Sequence, residues 1–260
     1  MFEKIEILNT EESEEIFHKI INLKDKWVSR KEGEQNFDLP RFTFGAASYI
    51  DAKESYDFYL KKAKLENEIL LNELGDLYQK VLESLKLHTK KNCKYDEGLA
   101  LPGFHIFGSD IFFEEECGKF HHDRQDELID WQGIKYDPQQ NLSFTLAIKL
   151  PRRGAGLIFV RDQIESNPEW EESEEDQAVS LDTLETSFAL AKSLGTRCDT
   201  DIDLNRLAFI KYQEGSMFLH SGKFTHAMAP AINIEPDDMR ITLQGHGILD
   251  EESDEYLIYW

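Results

Sequence analysis

The hydrophobic pattern of the chain changes period once, near Leu101, and that change limits the possible fold more than any other feature. Between Asp51 and about Lys91, the apolar positions Tyr56, Tyr59, Leu60, Leu65, Ile69, Leu70, Leu74, Leu77, Tyr78, Val81, Leu82 and Leu85 recur mostly three and four residues apart among lysines and glutamates. This is the period of an amphipathic helix, and Gly75 marks a place where so long a helix can bend or break. A shorter helical pattern covers about Ser13 to Trp27 and is followed by a polar loop containing Gly33 and Pro40.

After Leu101 the texture becomes that of strands. The runs GFHIFGSDIFFE, NLSFTLAIKL, AGLIFVRD, RLAFIKYQ, GSMFLHSG and MRITLQGHGIL are short, rich in β-branched and aromatic residues, and bounded by Gly, Pro, Asn and Asp. Strands in series behind a helical layer predict an α+β domain whose core is a sandwich or jelly roll. The expected organisation is N-terminal helical support over residues 1–100, a catalytic core over 101–250 and a C-terminal tail over 251–260. An acidic insertion interrupts the core at about 162–205 and carries a helical segment, LDTLETSFALAKSLG.

Charge and cysteine content narrow the function. With 51 acidic against 29 basic residues the net charge is −22, a field that repels nucleic acid and anionic lipid. Much of it lies in ESNPEWEESEEDQ (165–177) and DEESDEY (250–256), which read as a solvated loop and tail. No apolar run approaches the ~18–20 residues of a membrane span, and the start MFEKIEILNTEESEE lacks signal-peptide grammar, so the expected setting is the cytoplasm. Cys93, Cys117 and Cys198 are widely separated and form no CxxC pair, so neither a disulfide framework nor a zinc ribbon is expected.

Two clusters carry chemistry. In GKFHHDRQDELIDW (118–131), alternation along a strand would turn His121 and Asp123 to one side and His122 to the other. In GSMFLHSGKFTHAMAPAINIEPDDMRITLQGHG (215–247), a strand and turn precede a histidine, and a later strand opens with Arg240 and Thr242 on one face. Two histidines and a carboxylate leave three coordination positions open on an Fe(II) ion, enough for a bidentate co-substrate and dioxygen. A remote carboxylate on that co-substrate needs a buried cation, and an arginine fork beside a hydroxyl suits it better than a lysine.

In this order of elements the sequence resembles the Fe(II)/2-oxoglutarate-dependent dioxygenase family over about residues 100–250. The likeness rests on His-x-Asp in FHHD, the strand pair in LSFTLAIKLPRRGAGLIF, a distal histidine and an arginine on the last core strand. The resemblance implies a double-stranded β-helix, that is, a jelly roll with supporting helices. It also implies that His121, Asp123 and a distal histidine hold iron, and that Arg240 with Thr242 holds the far carboxylate of 2-oxoglutarate. For the distal position His226, in THAMAP with a proline four residues on, fits the family pattern better than His220. His105, His122 and His246 read as structural or substrate-side residues. If Arg240 did not fill its role, Lys149, Arg152 or Arg153 would be the next cations to consider.

The implied reaction couples oxidative decarboxylation of 2-oxoglutarate by dioxygen to hydroxylation of a C–H bond. In a related chlorinating branch a small residue replaces the carboxylate ligand, so Asp123 implies hydroxylation rather than halogenation. LPGFHIF and RITLQGHG, with the fused N-terminal helices, look most like the branch acting on free amino acids, and the acidic surface turns attention to lysine or another basic one. Arg124, Asp126 and Trp131, just beyond the iron motif, are the expected substrate contacts. Two other classes share parts of the pattern: a non-catalytic jelly roll that binds a small molecule, and a zinc hydrolase. Neither has a use for His, Asp, His and Arg in this order.

Overall fold

The two longest helices among the described residues begin where short polar side chains hold unpaired backbone donors. A computed structural model describes residues 2–30, 42–108, 120–160, 207–229, 231 and 234–260. In chain order these form β1 (Phe2–Glu6), α1 (Thr10–Asn22), β2 (Val28–Ser29), β3 (Phe42–Phe44), α2 (Ser48–Asp51), α3 (Tyr56–Thr89), β4 (Asn92–Tyr95) and β5 (Gly103–Phe107). There follow β6 (Leu142–Lys149), β7 (Leu157–Val160), β8 (Leu207–Ile210), β9 (Ser216–Ser221), β10 (His226–Met228), β11 (Arg240–Asp250) and β12 (Glu255–Tyr259). Asn9 and Glu12 close a reciprocal capping box at the start of α1, and Ser55 accepts from the Phe58 N–H at the start of α3. The expected bend in the long helix is present: Leu74, next to Gly75, leaves helical geometry at φ −130°.

The strands form two sheets. Nine strands make the larger one, in the order β1-β9-β6-β11-β5-β3-β2, with β12 added to β11 and β4 to β12. Its pairings are antiparallel except for β12 with β4. The smaller sheet, β10-β7-β8, is antiparallel. Segments expected only as support and tail thus contribute strands: β1 lines up on β9, and β12 lies in the C-terminal tail, starting at the end of its acidic run. The acidic insertion and its predicted helix lie outside the described residues, as does the second half of GFHIFGSDIFFE. No helix among the described residues is long and apolar enough to cross a membrane.

Alternation along the central strands divides the large sheet into an apolar outer face and a polar inner one. Phe104 and Ile106 of β5, Leu146 and Ile148 of β6, Met217 and Leu219 of β9, and Ile241 and Leu243 of β11 join one core with Leu70, Leu74, Leu77, Val81 and Leu85 of α3. Each such side chain contributes about 1.5–3 kcal/mol on burial, so the outer face with its helix drives assembly. The inner row (His105, Ser143, Thr145, His220, Arg240, Gln244, His246) is thereby free to carry chemistry, and it faces a cavity also lined by Leu157, His226 and Met228 of the small sheet.

The aromatic end of the chain fixes β5 from the side. Trp260 is fully buried, and a Cβ on Gly103 would come within 1.8 Å of its ring. Gly103→Ala should therefore destabilise the protein by about 3 kcal/mol, the upper range for overpacking a core. Chemical denaturation would read this as a lowered midpoint; an unchanged midpoint would contradict the packing described here.

Candidate active site

Backbone pairing brings the first and last thirds of the core together at one point. His121 and His226 exchange both backbone N–H···O=C bonds, at 2.9 and 3.0 Å, and the Asp123 N–H donates to the Gly222 carbonyl at 2.7 Å. His121 makes only an isolated bridge rather than a strand. One ligand atom from each of His121, Asp123 and His226 lies within 4.8 Å of the others. The imidazole Nε2 atoms of His121 and His226 stand 3.7 Å from the two oxygens of Asp123, too far for hydrogen bonds. Such a set of lone pairs facing one another fits a shared cation.

Proton positions agree with that use. The Nδ1–H of His226 donates to the Phe224 carbonyl at 2.7 Å, which leaves Nε2 as a lone pair toward Asp123. Burial pushes the His226 imidazole down to about 3 against the pull of Asp123. Burial would push the Asp123 carboxyl up, but His226, His246, His121 and His220 around it hold it well below the ordinary carboxylate range. A neutral imidazole and an ionised carboxylate are the forms that bind metal.

The other histidines take different places. His220 is buried on β9, donates Nδ1–H to the Ser221 carbonyl and packs its ring 5.0 Å from that of His226, outside the converging set. His122 turns away toward the Lys223 carbonyl, as the alternation predicted. His246 pairs with the Ser143 hydroxyl at 3.0 Å, and His105 with the Tyr49 hydroxyl; burial lowers both imidazoles below their ordinary range.

Arg240 opens into the same cavity and is the most unusual group in it. It is 2% exposed, its Nε reaches only the Ala155 carbonyl at 3.4 Å, and its guanidinium lies over the rings of Phe107 and Tyr212. No carboxylate among the described residues pairs with it. Thr242, on the same face of β11, and Tyr212 each hold a buried hydroxyl without a hydrogen-bond partner. Burial pulls the Arg240 guanidinium down to about 10 and pushes the Tyr212 phenol up to about 12, so one remains a cation and the other a donor. Lys149 and Arg152 are already committed, to Glu14 with Glu214 and to Asp237 with Asp238. A fork and two idle hydroxyls make a receptor for a carboxylate.

Arg124, Asp126 and Trp131 do not line the cavity. The 3-10 turn at Gln125–Leu128 diverts them: Arg124 is exposed on Glu127, Asp126 accepts from Tyr136, and Trp131 packs 5.0 Å from Tyr259. Gln125 from that stretch does line it, as do Tyr49, Lys53, Tyr212 and Gln244, which sequence reasoning missed. Gln244 and His246 were readable as the continuation of the two-residue alternation from Arg240; Tyr49 and Lys53 carried no such signal.

No protein-family model and no curated protein matches this chain. Among solved structures, an N-substituted L-amino acid dioxygenase from Burkholderia ambifaria AMMD in complex with alpha-KG is similar at TM-score 0.50 and 15% identity, covering 99% of this chain and 85% of that one. A second structure of that dioxygenase matches at TM-score 0.50 and 14% identity, with the same coverage. The chain shares its fold. EvdO2 from Micromonospora carbonacea var. aurantiaca, complexed with 2-oxoglutarate, is similar at TM-score 0.48 and 11% identity over 94% of this chain and 85% of that one.

The cavity mouth depends on one buried carboxylate. Asp51 of α2 binds Arg30 at 2.7 Å and Lys62 at 3.0 Å and accepts from the Ala47 N–H. Burial would raise its carboxyl, yet Arg30 and Lys62 outweigh burial and hold it below the ordinary range. Asp51→Asn should cost about 3 kcal/mol at neutral pH by leaving Arg30 without its acid and Lys62 with only the longer contact to Glu66 at 3.8 Å. Because the folded state keeps this carboxyl ionised to lower pH than the unfolded chain does, its contribution is complete at neutral pH. It is lost as pH falls below about 4. Denaturation of wild type and variant across pH would show the gap closing on acidification; a gap independent of pH would contradict this role.

Proposed function

We propose that the chain is a non-haem Fe(II)- and 2-oxoglutarate-dependent oxygenase built on a double-stranded β-helix, residues 101–250, with N-terminal supporting elements. Its reaction consumes a C–H substrate, dioxygen and 2-oxoglutarate and yields the hydroxylated product, succinate and carbon dioxide. The observation that carries this reading is the buried Arg240, without a carboxylate among the described residues, in one cavity with an open two-histidine, one-carboxylate set.

In this reading His121, Asp123 and His226 hold the ion, which supplies the redox chemistry when bound. Arg240 takes the far carboxylate of 2-oxoglutarate, with the Thr242 and Tyr212 hydroxyls donating beside it. The Nδ1–H bond of His226 keeps its ring oriented, and Phe107, Leu157 and Met228 shield the cavity from water. Asp123 fills the coordination position a halide would need, which favours hydroxylation over halogenation. The cavity, about 360 Å³, suits a small molecule. A free L-amino acid is the substrate class we favour, supported by the fold shared with an enzyme named for N-substituted L-amino acids.

Arg240→Met tests the reading without turnover. A methionine of similar reach removes a buried charge that no carboxylate among the described residues pairs, so the ligand-free variant should be at least as stable as wild type. Wild type loaded with Zn(II) should gain about 2.7 kcal/mol when 2-oxoglutarate is present at about a hundred times its Kd. In Arg240→Met that gain should vanish. An equal 2-oxoglutarate-dependent shift in both proteins would exclude Arg240 from the role.

A further inference from the structure

Resting on the oxygenase reading, we infer that the substrate is an amino acid whose carboxylate is held at the cavity mouth by Lys53, whose amino group meets Gln125, and whose uncharged side chain points inward to the ion. The first argument is charge balance. Arg240 and Asp123 cancel one another, and a divalent ion cancels the two carboxylates of 2-oxoglutarate. Among the described residues lining the cavity this leaves one charge, that of Lys53.

The second argument is placement. Tyr49 and Lys53 are four residues apart, so the short helix α2 and the turn after it present both to the cavity, and Asp51 locks that segment through Arg30 and Lys62. Those two cations are committed to Asp51. Lys53 itself has no ion pair among the described residues and lies exposed at the rim, where a solvated carboxylate can reach it. Tyr49 is tied inward to His105, which leaves Lys53, in the turn after α2, as the group of this segment open to a ligand.

The third argument is an orphaned acceptor. The Gln125 Oε1 atom is buried without a partner, and Gln125 lines the same cavity. A buried acceptor in this position calls for an N–H or ammonium donor. A carboxylate on Lys53 and a donor on Gln125 are the two halves of an amino acid head group. The inner wall beyond them is neutral (His105, Ser143, Gln244, His246), and Asp123, its only described carboxylate, belongs to the ion set. A lysine substrate, with a second cation inside, would find no acid there, so the basic amino acids expected from the surface charge fit the cavity poorly.

Binding to the Ni(II)- and 2-oxoglutarate-loaded protein, measured by calorimetry without turnover, tests this. The probes are L-leucine, L-norleucine, L-methionine and L-phenylalanine, the carboxamide of each, and L-lysine. At least one uncharged acid should bind wild type about tenfold or more tighter than its carboxamide, as a charge-assisted contact gives, and tighter than L-lysine. In Lys53→Gln the preference for acid over carboxamide should fall to about threefold or less, and Lys53→Arg should restore it. Gln125→Leu should weaken the acid and its carboxamide alike, because both keep the amino group. Equal binding of acid and carboxamide by wild type, tighter binding of L-lysine, an undiminished preference in Lys53→Gln, or binding of none of the probes would overturn the inference. Failure of 2-oxoglutarate itself to bind the Ni(II)-loaded protein would instead overturn the oxygenase reading, and this one with it.

Discussion

A guanidinium buried with no acid among the described residues to answer it is the constraint around which the rest of this structure is arranged. Removing such a group from water costs several kcal/mol unless a partner or ligand restores its hydrogen bonds. Arg240 has an aromatic sleeve of Phe107 and Tyr212 and one long contact to a carbonyl, and two hydroxyls nearby stand idle. Those contacts return only part of that cost. An anionic ligand recovers all of it at once, which is why the arginine, more than the metal-type triad, turns a β-sandwich cavity into a candidate for 2-oxoglutarate chemistry.

The scaffold can carry this cost because its two faces do separate work. The helix-covered outer face of the large sheet supplies the apolar burial, and the inner face is then free to be polar. The small sheet closes over that inner face and supplies His226, whose backbone is locked to His121. Asp51 acts on the remaining side: by binding Arg30 and Lys62 it fixes the segment that carries Tyr49 and Lys53 to the rim. The ion set, the anion receptor and the mouth thus rest on three different kinds of interaction, namely backbone pairing, an unanswered charge and a buried ion cluster.

What was legible in the sequence follows from which of these are local. The alternation that sets Arg240 and Thr242 on one face and the three-to-four spacing of α3 can be read in one stretch, and the structure places both as expected. Convergence of His121, Asp123 and His226 was likewise accessible from the order of short motifs, and the position of His220 on β9 keeps it out of that set. FEKIE and NCKY gave little sign of β1 and β4, since each is short and half-polar and gains its partner from far along the chain, whereas EYLIY pairs with the strand just before it and was hidden by the acidic run at whose end it starts. Arg124, Asp126 and Trp131 misled by proximity, because one turn of 3-10 helix is enough to swing neighbours of a motif away from its cavity. Lys53 and Tyr49 were invisible for the opposite reason, their position being fixed by an ion cluster assembled from Arg30, Asp51 and Lys62.

The central claim is that one 2-oxoglutarate molecule spans the cavity, with its keto-acid end on an ion held by His121, Asp123 and His226 and its far carboxylate on Arg240. Anaerobic visible spectroscopy of the Fe(II)-loaded protein tests it directly, because an α-keto acid chelated to Fe(II) gives a metal-to-ligand charge-transfer band that neither component has alone. With one Fe(II) bound per chain, titration with 2-oxoglutarate should raise that band to saturation at one equivalent of 2-oxoglutarate per iron. Stoichiometric binding of both iron and 2-oxoglutarate with no such band would place them apart, and the account would be contradicted.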